Sequence, residues 1–306
     1  MKSLPRLLVS SVVRGSQQGD SHGGLYLVDP STGSVEQVMD WNTSAIDFAG
    51  RGADRGLRGV VVAGDEIFVA AADELIVLDR RFEQTGSYRN PSLKHCHEMC
   101  LYNGGIWIAC TGVDGVVRFD LARRGFDVGY VLAPRNGAVV ASRFDPGVQA
   151  PPASNRLHVN NVHVEAQGVF VSGRKLPALL RIAAGRVSAV ARLPMGTHNA
   201  RPFEGGVLYN DTDSDRVVWA KPGAMVATPT PAFELSELEG GGLDDTGLAR
   251  EGFGRGLCPL GGSLIAAGSS PTTVSVIDLS SGARIAQTVI SRDVRNAAHG
   301  LAVWPG

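Results

Sequence analysis

Three histidines recur at intervals of 101 residues, His97, His198 and His299, in the contexts His97-Glu-Met-Cys, His198-Asn-Ala-Arg and His299-Gly-Leu-Ala. Three neutral imidazoles converging from one depth form a facial ligand set that leaves positions open for water or substrate. The chemistry expected of such a set is metal-dependent, with a divalent transition ion (iron, zinc, copper or manganese) held by His97, His198 and His299. The same residues also fit a polar channel mouth in which imidazoles satisfy main-chain groups.

Each histidine opens a recurring unit. A polar residue starts one short apolar strand, and nine residues later comes the first buried position of the next: Arg58 with Ile67, His97 with Ile106, Asn160 with Val169, His198 with Val207, Arg255 with Leu264. His299 opens a sixth unit that the chain end truncates after Trp304. The strands that unit lacks stand at the other terminus, in Arg6-Leu-Leu-Val-Ser, Gly24-Leu-Tyr-Leu-Val-Asp29 and Ser34-Val-Glu-Gln-Val-Met39. Runs such as Val60-Val-Val, Glu66-Ile-Phe-Val and Glu74-Leu-Ile-Val-Leu-Asp have strand composition and turn boundaries, and no stretch reads as an amphipathic helix of ordinary length. The pattern predicts an all-β, six-bladed β-propeller over residues 1–306, one domain of four-stranded blades, with the N- and C-terminal strands closing one blade. A β-sandwich would not place a polar anchor at one fixed position in every repeat.

Round such a ring the anchors read Arg58, His97, Asn160, His198, Arg255, His299, so histidine occupies every second blade. Arg58 and Arg255 could clamp a carboxylate or phosphate in a fork, or tie neighbouring strands through their carbonyls. With Asn160 they are the candidates to orient substrate. Glu98, next to His97, could act as base or orient an imidazole, although strand alternation turns it away from His97. His95 and His158 lie two residues before their anchors and share the anchor face, as an outer tier of ligands, substrate contacts or a proton relay, or as loop residues contacting the lid; His163 has the opposite parity and is expected between blades. Arg174 belongs on the rim with Asp114 and Asp213. The stretch Asn210-Asp-Thr-Asp-Ser-Asp215 lacks the central Gly and terminal Glu of a calcium loop and reads as a turn. Two intervals are long, placing insertions at about 132–156 and 227–250, both on the anchor face where lids or binding loops sit.

Composition narrows the partners. A formal charge of −1 without a basic run argues against nucleic acid, and no apolar stretch is long enough to span a membrane. Cys96, Cys100, Cys110 and Cys258 do not form a disulfide framework, which fits a reduced cytoplasm; the first residues resemble a weak signal sequence, but the blade count uses them as a strand.

The stretch Val274-Ser-Val-Ile-Asp-Leu-Ser-Ser-Gly-Ala-Arg-Ile-Ala resembles the repeat of surface-layer-type (YVTN) and quinohaemoprotein-like propellers. With His97-Glu-Met, His198-Asn-Ala-Arg-Pro, Gly252-Phe-Gly-Arg-Gly-Leu and His299-Gly-Leu-Ala, the chain resembles a family of uncharacterised bacterial six-bladed propellers, some linked to tetratricopeptide repeats. The broader superfamily includes gluconolactonases and strictosidine-synthase-like enzymes. Their metal is held mainly by Glu, Asn and Asp, whereas His and Arg stand at the anchors here, so lactonase activity does not carry over. The function expected is a metal-dependent enzyme acting on a small anionic metabolite, in a biosynthetic role. The alternative is a non-catalytic propeller that binds a peptide or protein on its top face.

Overall fold

A strand buried on one face alternates apolar and polar residues, yet middle strands such as Gly105–Cys110, Gly168–Gly173 and Leu264–Ser269 are buried along nearly their whole length. In the computed structural model, which describes residues 4–42, 56–240 and 250–306, the reason is that blades are stacked face to face round an axis. Ile67 and Val69 join a cluster with Leu8, Leu25 and Leu57, while Phe68 and Ala70, on the opposite face of the same strand, join Ile106, Ile108 and Phe119. Six such clusters each fill one gap between neighbouring blades. Outermost strands keep the alternation: Ser34–Asp40 and Arg186–Arg192 are largely exposed.

The described residues form six antiparallel sheets, a six-bladed β-propeller. Their innermost strands are Leu57–Ala63 (blade 1), Cys96–Tyr102 (blade 2), Val159–Glu165 (blade 3), His198–Phe203 (blade 4), Arg255–Gly261 (blade 5) and Asn296–Val303 (blade 6). Blade 6 is closed as the truncated repeat requires. Asn296–Val303 pairs with Leu7–Val13, placing Leu7 opposite Val303 and Val9 opposite Leu301, and Gly24–Asp29 and Ser34–Asp40 complete the sheet. Trp304 N–H donates to Arg6 O at 2.8 Å, and its ring stacks on Phe82 of blade 1 at 5.3 Å.

Two expectations about length change. Blade 2 has five strands, because Gly125–Arg135 and Ala138–Phe144 form a hairpin inside the segment expected to be a loop at 132–156. Its turn is Asn136-Gly137, both at positive φ (49° and 78°), the chemistry of a two-residue hairpin. The remainder of that segment is held by Asp114, which accepts from Ser154 Oγ (2.6 Å), Arg156 N (2.6 Å) and Leu157 N (3.2 Å). In the second insertion Ala224–Pro229 is the outer strand of blade 4 and Leu235–Glu237 a short 3₁₀ turn; residues 241–249 lie outside the described residues. Among the described residues no helix is long and apolar enough to cross a membrane.

Candidate functional site

All six anchors lie at or near the start of an inner strand, and the register of each slips there. The shifts fall between Leu57 and Val60, Cys96 and Met99, Val159 and Asn161, His198 and Arg201, and Arg255 and Leu257, with the matching slip of blade 6 opposite Ala298 and Leu301. A bulge lets two consecutive residues leave the strict alternation. Hence the residue after each anchor also reaches the channel region, and Glu98, which alternation would turn away, comes within 3.8 Å of His299 Nδ1 through Oε1.

His97 and His198 are held by the same device. The Nδ1 of His97 lies 2.8 Å from Thr111 Oγ1 and 3.0 Å from His95 O, and that of His198 lies 2.9 Å from both Thr212 Oγ1 and Gly196 O. Each threonine gives its own proton to a carbonyl of the next blade, Val159 O at 2.6 Å and Gly254 O at 3.2 Å. Both neighbours of His198 Nδ1 are acceptors, so that nitrogen carries the hydrogen and Nε2 is bare; His97 Nδ1 faces the same two kinds of acceptor and also, at 3.2 Å, the Arg58 guanidinium, a donor. The Nε2 of His198 is buried with no hydrogen-bond partner. Both threonines follow their histidine by 14 residues, a signal the sequence carries.

His299 breaks the pattern. Ala298 pairs with Ser11 as Cys96 pairs with Cys110, so the place of Thr111 is taken by Val12, which has no hydroxyl. Arg255 Nη1 instead donates to His299 Nε2 at 2.9 Å, which puts the ring proton on Nδ1, facing Glu98. The rings of His97 and His299 are 5.4 Å apart and those of His97 and His158 5.8 Å, so three imidazoles do meet at the mouth. Among the described residues no group of three His, Cys, Asp or Glu side chains is placed to hold an ion.

The electrostatics follow from burial beside guanidinium groups. Burial pushes His97, His198 and His299 well below the ordinary histidine value, with Arg58 adding most to the effect at His97 and Arg255 at the other two. His158 falls to about 4, through burial and then Arg255 and Arg174. All four rings are neutral at pH 7. Glu98 moves the other way, raised by burial to about 7 against the pull of the Asn199 amide, Arg255, Arg201 and Arg58.

Arg58 is 1% exposed; its Nη1 donates to Cys96 O at 3.1 Å and lies 3.2 Å from His97 Nδ1. Arg255 lies over the Phe253 ring at 4.5 Å, and Arg14 over the same ring at 4.6 Å. Asn160 reaches across to blade 4, its Nδ2 donating to Thr197 O at 3.0 Å while its buried Oδ1 has no partner. His95 contributes its main-chain carbonyl; both it and His158 take a left-handed backbone (φ 52°), and the His158 ring stands 5.8 Å from that of His97. Arg174 stands on the rim, half exposed, 3.8 Å from Asp213. In the Asn210–Asp215 turn, Asn210 donates to Asn199 Oδ1 at 3.0 Å and Asp215 accepts from Arg250 at 2.7 Å, so the turn is tied into the protein rather than open to an ion.

This is a six-bladed propeller with an electropositive, imidazole-lined channel mouth. No protein-family model matches the chain, and no curated protein does. Similar solved structures are a protein of unknown function from Bacteroides caccae (14% identity, 98% of each chain, TM-score 0.57) and a chain of a nidogen–laminin complex (10%, 97% of each chain, 0.59). A Bacteroides fragilis protein described as a candidate 6-phosphogluconolactonase is also similar (8%, 98% of each chain, 0.55). At these identities the likeness establishes the propeller fold alone.

Proposed function

We propose that the channel mouth binds a small anionic molecule, a carboxylate or phosphate, between Arg58 and Arg255, and that Glu98 and His299 exchange a proton with it. The observation that carries this reading is the row Glu98–His299–Arg255. A guanidinium fixes one nitrogen of the ring at 2.9 Å, a carboxyl group stands 3.8 Å from the other, and that carboxyl titrates near 7, where a general acid or base is most effective. Neutral imidazoles do not cancel the guanidinium charges, and burial strengthens the attraction for an incoming anion. Asn160 Oδ1 is the acceptor available to a hydroxyl on the ligand.

Calorimetric titration with inorganic phosphate and with malonate at low ionic strength tests the reading. Arg255→Lys keeps the charge but loses the fork, and should weaken binding roughly 10- to 100-fold, the loss of one charge-assisted hydrogen bond. Absence of saturable binding of both anions, or affinity unchanged in Arg255→Lys, overturns it.

A divalent transition ion is a second reading, supported by the buried, unpartnered Nε2 of His198 and by the matching threonine and carbonyl partners of the His97 and His198 rings. Metal-ligating histidines are commonly held, as these two are, by a hydrogen bond from the other ring nitrogen to a carbonyl. On that reading purified protein supplemented with iron, zinc, copper or manganese retains one ion after dialysis, and His198→Ala does not.

A further inference from the structure

Next to the anchor ring lies a cavity of about 180 Å³, lined from all six inner strands by residues that include Glu98, Cys100, His163, Arg201, Cys258 and Leu301. Four of these stand three residues beyond an anchor, which places a second ring up to about 10 Å deeper. His163 therefore does not lie solely between blades, as parity suggested.

Its Nε2 lies 3.0 Å from Glu165 Oε1, and its Nδ1 lies 3.9 Å from Cys100 Sγ. A carboxylate on Nε2 fixes the proton there, so Nδ1 presents its lone pair to the thiol. The carbonyl of Leu101 is the competing acceptor, also at 3.9 Å. Arg201 lines the same chamber without a hydrogen bond or ion pair among the described residues, its Nε buried and unpartnered. Burial draws its pKa down, while Cys258, Cys100, Glu98 and Glu165 oppose that shift. A buried guanidinium beside a thiol and an imidazole is suited to receive negative charge developing on a reacting oxygen.

We infer that this chamber is a second, thiol-based site: Cys100 is a nucleophile served by His163, which Glu165 positions, and its substrate is a small acyl ester whose carbonyl oxygen meets Arg201. His163 Nδ1 takes the thiol proton as sulfur bonds to the carbonyl carbon, and the electron pair of the C=O moves to oxygen against Arg201. Collapse breaks the ester C–O bond, and the leaving alcohol takes the proton from His163. Water, deprotonated by His163, then attacks the acyl-cysteine; the acid leaves and the proton returns to sulfur. Burial pushes the Cys100 thiol up, although the Val164 amide and Arg201 pull it down, so the sulfur is protonated at rest and depends on His163. His163 is itself lowered by burial and Arg201, and is a neutral acceptor at pH 7.

The probe is p-nitrophenyl acetate with the full chain. A stoichiometric burst of p-nitrophenol should accompany acetylation that peptide mapping places on Cys100. Cys100→Ser should abolish the acetyl mark, and His163→Asn should slow acylation about 100-fold. Glu165→Gln should shift the acid limb of the pH–rate profile to lower pH, because Glu165 raises the His163 pKa, a change that a merely structural role would not produce. Pretreating wild-type protein with iodoacetamide, mapped to Cys100, should remove the burst and needs no variant. Acetylation on another residue, a burst that survives alkylation of Cys100, or wild-type acylation in His163→Asn overturns the inference.

Discussion

Glu98→Gln should make the protein more stable at alkaline pH and change it little at pH 5. The side chain is 14% exposed, and burial raises its carboxyl from the ordinary 4.5 to about 7. A carboxyl whose folded value exceeds its unfolded value binds its proton more tightly when folded. Its contribution to stability is whole below pH 4.5 and is lost as pH rises through 7. The linkage relation gives a loss of about 2–3 kcal/mol between pH 5 and pH 8, most of it below pH 7. Glutamine keeps the shape but cannot ionise. Urea unfolding of both proteins across pH 5 to 8, at constant ionic strength, isolates the effect, because the histidines titrate alike in each. The stability difference should grow by about 2–3 kcal/mol in favour of the variant, with its midpoint below pH 7. Parallel curves would mean that Glu98 is ionised at little expense, and the near-neutral acid in the channel would be lost.

The buried imidazoles give the opposite slope: their folded values lie below the ordinary 6.5, so their contribution is present above pH 6.5 and lost as pH falls below it. His198→Asn should flatten the acid limb of the stability curve by about 1.4 kcal/mol per pH unit below 6.5, measured by urea unfolding between pH 7.5 and 5.5, and an unchanged limb would place a charged or exposed ring there. Gly300→Ala should destabilise by about 1–3 kcal/mol in urea unfolding, because a Cβ there would stand 2.4 Å from Arg58 O and 2.8 Å from Val60 N. Gly125→Ala, where the added carbon meets only Arg123 O at 3.9 Å, should be nearly silent in the same assay.

The ring architecture was legible because closure leaves a signature in one dimension: a truncated repeat at His299 and three surplus strands at the other terminus. Anchor spacing was legible for the same reason. Side-chain direction was not, because the parity rule assumes an unbroken pleat and every inner strand carries a bulge beside its anchor. That single irregularity brings Glu98 into the site; His163, whose parity suggested a place between blades, also lines the chamber. The fifth strand of blade 2 was announced by Asn136-Gly137 between two strand-like runs, but the long interval between repeats suggested a loop. The orientation of His299 depends on Val12, 287 positions away in sequence and adjacent only after closure.

The residue after each anchor shows why the channel is not the threefold centre that the histidine spacing suggests. In blades 5, 6 and 1 it is Gly256, Gly300 and Gly59, and in blades 2, 3 and 4 it is Glu98, Asn161 and Asn199. A Cβ on each of these glycines would stand 2.7, 2.4 and 2.5 Å from a carbonyl of the next blade, so those junctions close backbone against backbone. Elsewhere side chains bridge the gap: Asn161 Nδ2 donates to Ala200 O at 2.8 Å, and Asn199 Oδ1 accepts from Gly256 N at 3.1 Å. The tight arc is also the cationic one, with Arg255 and Arg58 flanking His299, while the bridged arc carries Asn160 between His97 and His198. A ligand in the mouth therefore meets guanidinium groups on one wall and neutral hydrogen-bonding groups on the other. A molecule with one anionic end and one hydroxyl or carbonyl end would be held in a single orientation, with its anionic end toward Arg58 and Arg255 and its neutral end toward Asn160.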